Sequence, residues 1–142
     1  MQKVILDTNI VVSALIQKSY PHLIVFDDVL NEHVQLCLSE ALLDEYIEVL
    51  ARPKFSKIPD FKNNASIVLN RLTKIALFFK PEIRLNILKD SDDNKLLELA
   101  EDSNADFLIT GNSVDFRMTH YKNTRVVSPR DFWNIKQQQR FH

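Results

Sequence analysis

A chain of 142 residues with a net charge of −1 and a pI near 6.4 is sized for one domain, and its 45% hydrophobic and 26% charged residues exclude a disordered polymer. Its longest apolar runs, such as residues 10–16, fall far short of the ~18–20 that cross a bilayer, and Leu6 is followed at once by Asp7, so neither a membrane span nor a secretory leader is expected. One cysteine (Cys37) excludes a Cys-cluster zinc site and an internal disulfide, and one glycine (Gly111) excludes the Gly-rich loops that cradle nucleotides.

Lys3-Val-Ile-Leu6, closed by Asp7-Thr8-Asn9, predicts a buried strand. Ile10 to Gln17 reads as helix, and Pro21 to Asn31 as a second helix with Leu23, Val25, Phe26, Val29 and Leu30 as its apolar stripe. Val34 to Leu38 is the second strand, and Ser39 caps a helix that buries Leu42, Leu43, Tyr46, Ile47 and Leu50 and stops before Arg52-Pro53. Residues 54–64 read as turns, Ala65 to Thr73 as helix and Ile75 to Phe79 as the third strand. Asp90-Ser-Asp-Asp93 caps a helix running to about Asp102, and Phe107 to Thr110 is the fourth strand. Val114 to Met118 is a short helical turn, Arg125 to Val127 the fifth strand, and Ser128-Pro129 opens a terminal helix. Such alternation calls for an α/β sandwich of helices around a mostly parallel sheet, in a single domain spanning 1–142.

In sheets of this kind ligands sit beyond the carboxyl ends of the strands, so the residues just after each strand matter most. Asp7 ends an apolar strand and must be solvated in a crevice, paired, or used as a helix cap. Glu45 falls on the inward side of its helix, between Leu42 and Val49, while Glu40, Asp44 and Glu48 fall outward. Asp90, Asp92 and Asp93 gather at a helix start, where the helix dipole alone would also favour them. Thr110, Asn112 and Asp115 follow the fourth strand. Carboxylates that converge repel one another and raise each other's pKa, and a hard divalent cation such as magnesium or manganese removes that repulsion. His22, His33, His120 and His142 are scattered, which disfavours zinc. Charge alternates along the chain: residues 1–51 hold two Lys/Arg against eight Asp/Glu, 52–89 nine against two, 90–119 two against eight, and 120–142 five against one. That pattern suits a cation site facing a polyanion, although solvated helix faces can produce it too.

At these residues the sequence resembles the PIN domain family of nucleases. The matching pieces are Val4-Ile-Leu-Asp-Thr-Asn-Ile10, Leu43-Asp-Glu-Tyr-Ile-Glu-Val-Leu50, Asp90-Ser-Asp-Asp-Asn-Lys-Leu-Leu-Glu-Leu-Ala100, Ala105-Asp-Phe-Leu-Ile-Thr-Gly-Asn112 and Val127-Ser-Pro-Arg-Asp-Phe132, in family order. It is most similar to the prokaryotic toxins of toxin–antitoxin systems related to VapC. The resemblance implies a three-layer fold on a five-stranded, mostly parallel sheet, and a cytoplasmic Mg2+- or Mn2+-dependent endoribonuclease. It implies catalytic acids at Asp7, Glu45, Asp93 and Asp115, the first three holding the metal. Thr8, Asn9, Thr110 and Asn112 would orient the carboxylates or water. Many members carry Thr-Gly-Asp where this chain has Thr110-Gly-Asn112, so Asn112 with Asp115-Phe116 is taken as a second family pattern. The implied partners are RNA, a cognate antitoxin and a second copy of the chain in a homodimer. A second reading, favoured by Asn112, is a PIN-like module that binds RNA or protein with little or no turnover.

Overall fold

Val4, Ile5 and Leu6 have no exposed surface at all, the condition of a strand covered on both faces by helices. They belong to β1 (Lys3–Leu6), at the heart of a six-stranded sheet completed by β2 (Gln35–Ser39), β3 (Leu77–Phe79), β4 (Phe107–Ile109), β5 (His120–Tyr121) and β6 (Thr124–Val127). This is a computed structural model describing residues 1–86, 91–111 and 118–140. The order across the sheet is β3-β2-β1-β4-β6-β5, parallel throughout except that β5 runs antiparallel to β6.

The sequence anticipates five of these strands. The sixth, β5, pairs only His120 and Tyr121 with Arg125 and Thr124 across a two-residue turn whose Lys122 has φ 51°. Two polar-flanked residues carry no periodicity to read.

Helices α1 (Thr8–Ile16), α2 (Tyr20–Leu23), α3 (Glu40–Leu50), α4 (Phe61–Ile75), α5 (Ser91–Ser103) and α6 (Pro129–Arg140) flank the sheet. Ser39 and Ser128 cap α3 and α6 as expected, accepting from the amides of Leu42 and Asp131 at 3.1 Å each. Three expectations needed correction, the first being Ile47 of α3, expected to be buried but half exposed. Helix α4 begins at Phe61 rather than Ala65, because Phe61 stacks on Phe55 and is buried while Lys62, Asn63 and Asn64 are the solvent face of its first turn. The single helix expected over 21–31 is a short α2 that runs into a π-helical stretch at Ile24–Val29.

The wider turn of that stretch carries Asp28 wholly inside the protein. Arg140 donates from Nη2 to Asp28 Oδ1, and His33 Nδ1 stands 3.5 Å from the same oxygen. The Arg140 guanidinium also lies over the Trp133 ring, 5.5 Å from its centre. The last turn of α6 is thereby tied to the segment before β2. The turn expected at Val114–Met118 lies, but for Met118, outside the described residues.

Candidate functional site

Strands β1 and β4 lie side by side with Leu6 opposite Ile109, so the next residue of each emerges at the same edge. Those residues are Asp7 and Thr110. Asp7 N–H donates to the Ile109 carbonyl at 3.0 Å, and Thr110 Oγ1 donates to Asp7 Oδ2 at 2.7 Å. Helix α3 brings up Glu45 from the neighbouring strand β2. Its register is fixed by Tyr46, which is fully buried and donates its hydroxyl to the Leu6 carbonyl, immediately before Asp7. Glu45 Oε2 accepts from Thr8 Oγ1, and Glu45 Oε1 meets Lys95 Nζ of α5 at 2.9 Å.

Asp7 is buried, 7% exposed as a residue. Burial pushes its pKa up, and the nearby Glu45 pushes it further, while the Thr110 hydroxyl and the amides of Thr8 and Asn9 pull it down. Asp7 occupies the N-cap position of α1 without the side-chain hydrogen bond of a formed cap, and the first-turn amides of Thr8 and Asn9 favour its ionised form without offsetting its burial. Tyr46 registers the same crowding. Its hydroxyl pKa is driven well above the usual value, first by burial and then by Asp7 and Glu45.

The sequence-predicted residues Asp7, Thr8, Glu45 and Thr110 come together here. Asn9 is exposed and influences Asp7 through its amide. Asp93 stands in the first turn of α5, two residues before Lys95. Asp90, Asn112 and Asp115 lie outside the described residues, and among the described residues no three His, Cys, Asp or Glu side chains gather as a metal-binding group. The donors present, two converging carboxylates with hydroxyl neighbours, are all oxygen. Such a set fits a hard cation of the magnesium type, whose charge would relieve the repulsion between Asp7 and Glu45.

Sequence reasoning missed Lys95 and the Tyr46 hydroxyl. A signal for Lys95 existed, because it is one of only two basic residues in the acidic block 90–119. Beside Lys95 an open groove is lined by Ser39, Glu40, Asp44, Lys80 and Arg84 among others.

Thr110→Val should move the acid limb of any activity to higher pH. Losing the hydroxyl removes a bond that favours ionised Asp7, so its pKa rises further and protons compete longer with a cation. A pH–rate profile of the variant beside the parent checks this; an unshifted limb refutes it.

A PIN domain family model matches residues 3–113. The uncharacterized protein MJ1680 of Methanocaldococcus jannaschii is 29% identical over 109 residues, covering 77% of this chain and 70% of that protein. Among solved structures, the crystal structure of VapBC2 from Rickettsia felis bound to a DNA fragment from their promoter contains a chain that superposes with a TM-score of 0.57 at 19% identity, over 89% of this chain and 98% of that one. The family match runs from β1 through the Asp7–Thr110 edge, so the same stretch that builds the acidic site also places the protein: the chain belongs to the PIN domain family.

Proposed function

We propose that this chain is a divalent-metal-dependent endoribonuclease, the toxin of a toxin–antitoxin pair, acting in the cytoplasm with Mg2+ or Mn2+ as one domain over residues 1–142. The observation that carries the reading is Asp7, a buried carboxylate whose pKa is raised by burial and by Glu45 at the sheet edge where α/β folds bind ligands. PIN domains are typically nucleases and generally metal-dependent, which supports the same reading. No helix among the described residues is long and apolar enough to cross a membrane.

A bound divalent cation would supply a Lewis acid and a neutralising charge at the scissile phosphate. Asp7, Asp93 and Glu45 would hold it. Thr110 keeps Asp7 oriented and ionised, and Thr8 aims Glu45, which orients the attacking water. Asp115 and Asn112 would complete the fourth position, with Asn9 helping to orient Asp7. The likeness to a VapBC2 chain supports a cognate antitoxin as partner. Ile47 of α3 is 49% exposed, an apolar residue on a helix face suited to a second copy of the chain in a homodimer.

Cleavage of single-stranded RNA by the purified protein, with Mn2+ and then with chelator, tests the proposal. Metal-dependent cutting is expected, and equal inactivity in both would refute it. Stability offers a second check. Mg2+ or Mn2+ at 100 times its dissociation constant should stabilise the fold by about 2.7 kcal/mol, and a melting curve indifferent to millimolar cation would count against a converged site.

A further inference from the structure

We infer that Lys95 is the site's own counter-cation: it holds Glu45 until a divalent cation binds, then turns to a phosphate of the substrate strand. This rests on the metal-dependent nuclease reading above.

Both oxygens of Glu45 are engaged, Oε1 by Lys95 Nζ at 2.9 Å and Oε2 by the Thr8 hydroxyl. The ion pair spans α3 and α5, with the Glu45 side chain 19% and the Lys95 side chain 22% exposed, so solvent screens it only in part. A divalent cation at Asp7 and Glu45 would compete for the carboxylate that Lys95 holds and would repel the ammonium beside it. An ammonium on a flexible four-carbon stem, with three rotatable donors and no fixed fork to satisfy, can exchange one oxygen acceptor for another. The place it can move to is visible. Lys95 lines the open groove with Lys80 and Arg84. Arg84 there faces Glu98 at 3.9 Å and donates to the carbonyls of Pro81 and Ile83. Lys95 is a cation of this groove that also touches the site, through Glu45. Glu40 and Asp44 line the groove as well, so a phosphate gains only where the cations stand.

The test compares the wild type with Lys95→Gln, Lys95→Met and Lys95→Arg, each first shown folded by its melting curve. Calorimetric titration with Mn2+ in the absence of RNA should show binding about tenfold tighter in the Gln and Met variants, because a unit charge beside a divalent ion is gone. Lys95→Arg should stay within about threefold of wild type, since it keeps the charge. Binding of single-stranded RNA, measured with Ca2+ in place of Mn2+, should lose about 0.7 from its logarithmic salt slope in the Gln and Met variants. Unchanged or weaker Mn2+ binding in both neutral variants overturns the inference, and so does an unchanged salt slope. A wild type that binds Mn2+ but cuts no RNA refutes the nuclease reading while the affinity comparison still decides Lys95. A wild type that binds no Mn2+ sinks both.

Discussion

Asp7→Asn should reduce RNA cleavage by on the order of 10³-fold while raising the melting temperature of the metal-free protein at neutral pH. The two effects have one cause. Asp7 is held 7% exposed beside Glu45, and its ionised form is disfavoured by burial more than Thr110 and the nearby amides can offset. A carboxyl with a raised pKa binds protons more readily folded than unfolded. Stability therefore falls as pH rises from the ordinary aspartate value through the folded one, and the cost persists above it. Asparagine keeps the size and an oxygen for the Thr110 hydroxyl but carries no charge, so that cost disappears along with the proposed cation ligand. Melting curves of the two proteins should converge below about pH 4 and separate above it, the variant being the more stable. Addition of Mn2+ should close the gap by stabilising only the parent. Activity within a few fold of wild type, or a variant that melts earlier at pH 7, would remove Asp7 from the proposed centre.

The second large effect lies on the far side of the molecule. Arg140→Met should destabilise the fold by about 2–4 kcal/mol, read from chemical denaturation at pH 7. Asp28 has no exposed surface, and its Oδ2 has no hydrogen-bond partner among the described residues, so the contact of Oδ1 with Arg140 matters. Breaking a fully buried pair costs ~3–5 kcal/mol; the guanidinium here is 37% exposed, which lowers the figure. His33 stands 3.5 Å away but is 56% exposed and can only partly substitute. Adding Asp28→Asn to Arg140→Met should recover most of the loss, because the orphaned charge is then gone. A double variant no better than the single one would show that the loss came from Arg140 packing on Trp133 instead.

Much of the fold was legible because it is written in short apolar runs. Val4-Ile-Leu6 and Phe107-Leu-Ile109 are buried on both faces and read as strands without ambiguity. The two-residue β5, the early start of α4 and the π-helical turn around Asp28 were not, since each depends on tertiary partners: Thr124, Phe55 and Arg140. The site divides along the same line. Asp7 and Thr110 are fixed by strand register, which sequence carries, and Glu45 by helix period. The Lys95–Glu45 contact joins residues fifty positions apart on two helices, and no local pattern encodes it.

The hydroxyl that Tyr46 lends to the Leu6 carbonyl has a wider consequence. It welds the backbone of the first acid to the helix of the second, so the gap between Asp7 and Glu45 is a dimension of the core and not a choice made by two side chains. Reactivity and scaffold are then inherited separately. Point changes at the acids would silence the proposed chemistry and leave the architecture intact, even sturdier. A change that loosens α3 from β1 would spoil both at once. Silent copies of such a domain, keeping every wall and lacking only the charges, are the form of decay this construction permits most easily.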